Sequence, residues 1–233
     1  MMPNTSADYK VVVLSQASDV GDILAFFGAN HEPGIRRLDR PEVEQMVDDG
    51  LFYAIRRNDD GSIVATAYLS KQPAAATFGT PEYEIGGGQV RGSSRGGGLM
   101  KCLGLCMIAA ACLESQGSHG AVPRILGRVE CSNPSPIRHL LLNIGFAANG
   151  RKAIAATSKP GMQHMPQQGG NVCVDEFEFQ QVSLCSCLRA TEQYRDSGIL
   201  SSKYTVAIEV HSLKANRWGD PLKETLSQQH CPP

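Results

Sequence analysis

The sequence predicts an α/β fold: a central sheet of mixed strand direction with helices on its faces. Three observations carry that expectation. The hydrophobic periods up to residue 154 run strand, helix, helix, three strands, helix, strand, helix, strand. The stretch NDDG (58–61) joins two β-branched and aromatic runs and reads as a hairpin turn, so one pair of strands is antiparallel. The chain has 233 residues, 42% of them hydrophobic, enough for one domain of ordinary size or one domain plus an appendage.

Each element has its own signal. YKVVVL (9–14) is a β-branched run and reads as a strand. Ser18 and Asp19 precede a helical spacing of Val20, Ile23, Leu24 and Phe27. HEPGIRRLDR (31–40) reads as loop. Pro41 then suits the first turn of a helix over PEVEQMVDD, with acids near its N-terminus and Gly50 as its stop. LFYAIRR (51–57) and SIVATAYLS (62–70) are the hairpin strands, and Lys71–Pro81 is a polar loop. EYEIGGGQV (82–90) reads as a strand despite three glycines; alternation puts Glu84, Gly86, Gly88 and Val90 on one open face. Leu99–Leu113 is a helix, RILGRVE (124–130) a strand, Ser135–Asn143 a short helix and FAANGRKAI (146–154) a strand. Further on, 158–170 is loop, 171–184 alternates like a strand, KYTVAIEV (203–210) is a late strand, and the tail from Asn216 is polar.

Composition excludes some classes of partner. The net charge is −1, so no global field draws the chain onto nucleic acid or an anionic membrane. The longest apolar run, GLCMIAAACL (104–113), is too short to span a bilayer. The N-terminal stretch shows no signal-peptide pattern. Eight cysteines, three of them inside the apolar helix, read as reduced packing residues of a cytoplasmic protein. Cys131 reads as a buried strand cysteine, and Cys185-x-Cys187, with Cys173 and His164 nearby in sequence, as core rather than metal ligands. No metal site is expected.

The chemistry concentrates in QVRGSSRGGGLMKCLGLC (89–106), where glycines run from a strand into a helix. A helix N-terminus carries amide N–H groups without intrahelical partners and a positive partial charge; glycine lets an anion come close to them. Between Ile85 and Leu113 there is no Asp or Glu, while Arg91, Arg95 and Lys101 are present. The expected ligand carries phosphates. The stretch is not a P-loop, since Cys102 follows Lys101, and it fits a GxGxxG dinucleotide fingerprint poorly.

VRGSSRGGGLM (90–100) resembles the coenzyme A loop of the GNAT superfamily of N-acetyltransferases, approximately V-x-P-x-x-R-G-x-G-[IL]-[GA]. Val90, Arg95, Gly96, Gly98 and Leu99 match; Gly92 replaces the proline and Met100 the final small residue. CSNPSPIRHLLLNIGF (131–146) is similar to a second segment of that superfamily, N-x-x-A-x-x-L-Y-x-x-x-G-F, one residue longer and with Leu141 at the place of the tyrosine. The resemblance covers roughly residues 9–154 and implies a GNAT-like domain over 1–184. Residues 185–233 form an extension expected to pack on the same domain.

The resemblance implies that strands 82–90 and 124–130 splay to admit the pantetheine arm of acetyl-CoA, the expected co-substrate. Val90, Arg91, Arg95, Gly96, Gly97, Gly98, Leu99 and Met100 would hold the cofactor. Asn133 would touch the pantetheine arm or cap the short helix, and Glu84 would be the catalytic base. Leu141 cannot supply the proton that the family's tyrosine often gives to the departing thiolate. The implied reaction is acyl transfer to a primary amine. A non-catalytic GNAT-like binder of coenzyme A is the alternative, and an ATP-dependent transferase a weaker third. The acceptor is left open, as is the oligomeric state, a homodimer included. The segments 34–40 and 71–80 and the C-terminal third are expected to shape the acceptor end.

Overall fold

The computed structural model describes residues 7–30, 38–72, 82–119, 123–134, 136–155, 171–201 and 204–208. The acceptor-end segments 31–37 and 73–81, the loop with His164 and the tail from 209 lie outside the described residues. In chain order the elements are β1 (Tyr9–Leu14), α1 (Ala17–Ala29), α2 (Arg40–Asp48), β2 (Phe52–Arg57), β3 (Ile63–Gln72), β4 (Glu82–Val90), α3 (Leu99–His119), β5 (Arg124–Glu130), α4 (Ile137–Asn143), β6 (Phe146–Ala155), β7 (Asn171–Phe179), α5 (Leu184–Ser197) and β8 (Val206–Ile208).

The strands form one mixed sheet in the order β6-β7-β5-β4-β3-β2-β1-β8. β4 pairs with β5, and β1 with β8, in parallel; the other neighbours are antiparallel. One face packs under α1 and α2 through Val12, Leu14, Phe52, Ala54 and Tyr68. The helices meet it with Val20, Ile23 and Phe26 from α1 and Val43 and Val47 from α2, spaced as helical faces require. The other face packs under α3, α4 and α5. α3 is apolar nearly all round, so it is buried between the sheet and α5.

Caps follow the sequence closely. Asp39 accepts from the Glu42 N–H while Glu42 reaches back to the Asp39 N–H, a capping box ahead of Pro41. α1 begins two residues earlier than the Ser18–Asp19 signal suggests. The Asp19 carboxylate accepts from the Ser15 and Gln16 N–H groups and pairs with Arg56.

Three expectations need correction. The alternation over 171–184 ends at Phe179, and a helix, α5, occupies 184–197. Its buried Leu184, Cys187, Leu188 and Thr191 are spaced i, i+3, i+4, i+7. Asn133 is not the cap of α4; Pro136 holds that position. Cys131 and Cys173 are joined in a disulfide, Cys185 is disulfide-bonded too, and Cys102, Cys106, Cys112 and Cys187 remain free and buried. The expectation that these cysteines are reduced is therefore corrected for Cys131, Cys173 and Cys185. Among the described residues, no helix is long and apolar enough to cross a membrane.

Candidate coenzyme A cleft and acceptor face

The parallel pairing of β4 and β5 covers only Glu82↔Arg124 through Ile85↔Gly127. Past that point both strands continue, β4 to Val90 and β5 to Glu130, without pairing to each other. β4 stays on β3 and β5 stays on β7. The sheet therefore opens between them, leaving backbone groups without a ladder partner across the gap.

A bulge in β4 shapes this opening. Thr66 faces Gln89 and Tyr68 faces Gly86, so three steps on β4 oppose two on β3. Gly87 takes φ of 63°, a value few L-residues adopt. The bulge overturns the expected single face for Glu84, Gly86, Gly88 and Val90. Glu84 and Gly86 pair with Ser70 and Tyr68 on the α1/α2 side. Val90 pairs with Ala65 and packs toward α3, and Gly88 lies beside Met100 and Ile137. The face over the glycines is also not open. A Cβ on Gly86 would lie 2.6 Å, and one on Gly87 2.4 Å, from the Tyr68 ring, which fills that space. Thr66 Oγ1 and Gln89 Oε1, buried across the bulge from one another, have no hydrogen-bond partner. Such orphans are costly, about 1–3 kcal/mol each, and ordinarily need an explanation.

At the end of β4 the chain turns tightly. The Arg91 N–H donates to Val64 O at 2.8 Å, and Gly92–Ser94 form a 3-10 turn. Gly96 and Gly98 both have φ near 80°, at 80° and 79°. The first helical bond of α3 runs from Cys102 N–H to Gly98 O, 3.0 Å. The amides of Leu99, Met100 and Lys101 consequently have no acceptor inside the helix. Arg95, Gly96, Gly98 and Lys101 are exposed; Gly97 and Leu99 are buried. Arg95 folds back so that its Nε donates to Val90 O at 3.4 Å. Met100 packs at van der Waals distance from Gly88, its Sδ 3.4 Å from where a Cβ would be, so it sits on the wall of the opening.

Asn133 is buried in the turn after β5. Its carbonyl accepts from Arg138, which also bonds the carbonyls of Glu130 and Cys131 and the Asp175 carboxylate. Leu141 is buried against Gly127, where a Cβ would lie 3.0 Å from its Cδ1. The tyrosine position is thus filled by a methyl-bearing side chain at the base of the split.

Glu84 is held by Arg128, whose Nη1 donates to Glu84 Oε2 at 2.7 Å. Arg128 also bonds Glu176, which is 2% exposed and accepts further from Lys152 and Asn149. Burial works against the Arg128 charge, yet Glu84 and Glu176 hold its pKa above the ordinary value. Burial likewise opposes the Glu176 carboxylate, but Lys152 and Arg128 hold its pKa below the usual range. Arg124 extends the lattice, bridging Glu82 and Glu178. Sequence reasoning missed Arg128 and Tyr68. The signal for Arg128 was present in the alternate charges of Glu82/Glu84, Arg124/Arg128 and Glu176/Glu178, which interlock on one sheet face.

A cavity of about 370 Å³ lies away from the split, lined by Asp8, Tyr9, Arg57, Asn58, Asp59 and Tyr204. Among the described residues no group of three or more His, Cys, Asp or Glu side chains is placed to hold a metal ion.

No family model matches the sequence, and no curated protein proved similar to it. Solved structures do match the fold. A GNAT-family acetyltransferase from Streptococcus pneumoniae aligns with 73% of this chain and 98% of its own, at TM-score 0.50 and 15% identity. yncA from Salmonella typhimurium, solved with its cofactor acetyl-CoA, aligns over 75% and 94%, at TM-score 0.52 and 15% identity. NAA60 from Arabidopsis thaliana, solved with a bisubstrate analogue, aligns over 73% and 97%, at TM-score 0.51 and 15% identity. The chain has the fold of the GNAT N-acetyltransferases, with its mixed sheet and its opened pair of central strands.

Proposed function

We propose that the protein is an acyl-CoA-dependent N-acyltransferase that moves an acetyl group from acetyl-CoA to a primary amine. The single observation that carries this reading is the opening between β4 and β5 directly beside a glycine loop that leads into helix amides without an acceptor inside α3, in a stretch with no acidic residue. Diphosphate oxygens would accept from the amides at Gly96–Met100, and Arg91 and Arg95 would balance their charge. The pantetheine arm would lie in the opening against Gly88, Met100, Val90 and Asn133. Acetyl-CoA supplies the activated acyl carbon; a bond to the amine nitrogen forms as the bond to sulfur breaks. A backbone N–H near Val90 is suited to stabilise the oxyanion. Glu84, on the α1/α2 side of β4, is the base in this reading, taking the amine proton directly or through water. Leu141 offers no proton, so the departing thiolate is protonated by solvent.

The pairing of Glu84 with Arg128 and the apolar Leu141 favour the second reading, a coenzyme A binder without turnover. Thermal shift with coenzyme A, acetyl-CoA and ATP addresses the binding half. Stabilisation by the two CoA ligands and not by ATP is expected; stabilisation by ATP alone defeats the proposal. Thiol release from acetyl-CoA across a panel of amines then separates enzyme from binder. Among the described residues the four free cysteines are buried, and burial pushes the Cys187 thiol up and Cys112 up to about 12, which slows their reaction with a thiol reagent.

A further inference from the structure

The segment after α5 is not idle. Gly198, with φ of 66°, ends that helix, and the chain then doubles back on itself. The Tyr204 carbonyl accepts from the Leu200 and Ser201 N–H groups, both at 3.1 Å, and Val206 N–H donates to Gly198 O at 2.7 Å. The doubled segment is anchored on β1. Tyr9 N–H donates to Thr205 O, the Asp8 carboxylate accepts from the Thr205 N–H and hydroxyl, and β8 pairs with β1. On the other side, α5 packs on α3, where the Cys187 thiol meets Leu105 O.

The Tyr204 ring projects from this anchor between two surfaces. It packs edge-on against Tyr9, with ring centroids 5.2 Å apart. Its Cδ2–Cε2 edge lies on the glycine loop: a Cβ at Gly97 would come within 2.7 Å of Tyr204 Cε2 and 2.8 Å of Cδ2. The Leu200 carbonyl closes on the neighbouring position, 3.9 Å from where a Cβ on Gly98 would stand. A run of three glycines samples many backbone states when unsupported, and ordering them on a ligand is costly. A ring fixed against the middle glycine removes those states before any ligand arrives.

We infer that Tyr204 is a positioning residue that holds the Gly96–Gly98 loop in its anion-binding shape, so the C-terminal extension sets affinity for the diphosphate end of the cofactor. This rests on the proposed function for the identity of the ligand, but the shape of the loop can be read without any ligand. In the full chain, Tyr204→Ala is expected to speed hydrogen exchange at the Gly97–Leu99 amides while leaving the β2–β3 amides unchanged. The same variant is expected to weaken coenzyme A binding about tenfold. S-acetyl-pantetheine, which keeps the thioester and lacks the nucleotide diphosphate, should react at the wild-type rate. Tyr204→Phe, which keeps the ring, should restore both exchange and affinity. Gly97→Ala should weaken coenzyme A binding in the wild-type background and much less beside Tyr204→Ala, since the clash is with the ring.

Unchanged exchange at the loop in Tyr204→Ala overturns the inference, as does coenzyme A binding that is unaltered or tighter. An equal loss in coenzyme A binding and in the S-acetyl-pantetheine reaction overturns it too, because that marks general structural damage. Faster exchange in a chain that binds no coenzyme A at all upholds the role of the ring in shaping the loop and instead defeats the proposed function.

Discussion

Glu84 is where residue-level chemistry is most exposed to test. Its carboxylate accepts from Arg128 Nη1 through Oε2 at 2.7 Å, which fixes the side chain on the α1/α2 side of β4. Glu84→Gln keeps size and hydrogen bonding while removing basicity. Turnover is expected to fall by roughly 10²–10⁴-fold, with coenzyme A affinity little changed. Equal rates across the pH range in both proteins would remove Glu84 from the mechanism. The sequence offered Glu84 as a candidate, but not its surroundings. Period-two alternation assumes an unbroken pleat, and the bulge at Gly87 breaks it, sending Gly88 and Val90 to the α3 side. Nothing in IGGG says which glycine carries the positive φ. Nor does it say that a tyrosine 18 residues upstream of Gly86 fills the space that the missing side chains leave.

Among the elements, the free half of β5 bears the cleft on one side and must be held from the other. β7 does this through its antiparallel ladder, and the Cys131–Cys173 disulfide fastens the end, with a backbone bond from Cys131 N–H to Cys173 O. The closed loop has a sequence separation of 42, for which chain entropy gives a stabilisation of about 3–4 kcal/mol. Replacing both cysteines with serine is expected to lower unfolding stability by about that amount in denaturant titration. No change would mean that the bridge is not formed in solution. α5 shows what a sequence reading loses when two periods overlap. Alternation from Val172 to Phe179 invites continuation, and the helical spacing of Leu184, Cys187, Leu188 and Thr191 begins only five residues later. The earlier elements were readable because Pro41, Gly50 and NDDG mark their ends.

Across the whole molecule, two different materials fill the two halves of the sheet. Apolar clusters cover both faces from β1 to β3. On β4, β5, β7 and β6 one face instead carries the lattice of Glu82, Glu84, Arg124, Arg128, Glu176, Glu178 and Lys152. This lattice makes stability depend on acid. Glu176 has a folded pKa below its ordinary value of 4.5, so it binds a proton more weakly folded than unfolded. Its contribution is present above that ordinary value and is lost as pH falls through the lower, folded one. Arg151 and Arg138 hold the Asp175 carboxyl low in the same way, with the same sign. Melting temperature should therefore drop below about pH 4.5. Glu176→Gln should be less stable at neutral pH, by about 3 kcal/mol, and less sensitive to acid. A wild-type protein whose melting point is flat from pH 6 to 3 would contradict the lattice.

β8 is three residues long, yet it decides what a second molecule can do. It lies along β1 and occupies the hydrogen-bonding rim that the sheet would otherwise end on, while β6 terminates the opposite end. A copy that joined strand to strand at one end would meet β6, the edge strand among the described residues. At the other end it meets β8, and a copy that paired with β1 instead would have to displace β8 and, with it, the Tyr204 ring from its place against Gly97.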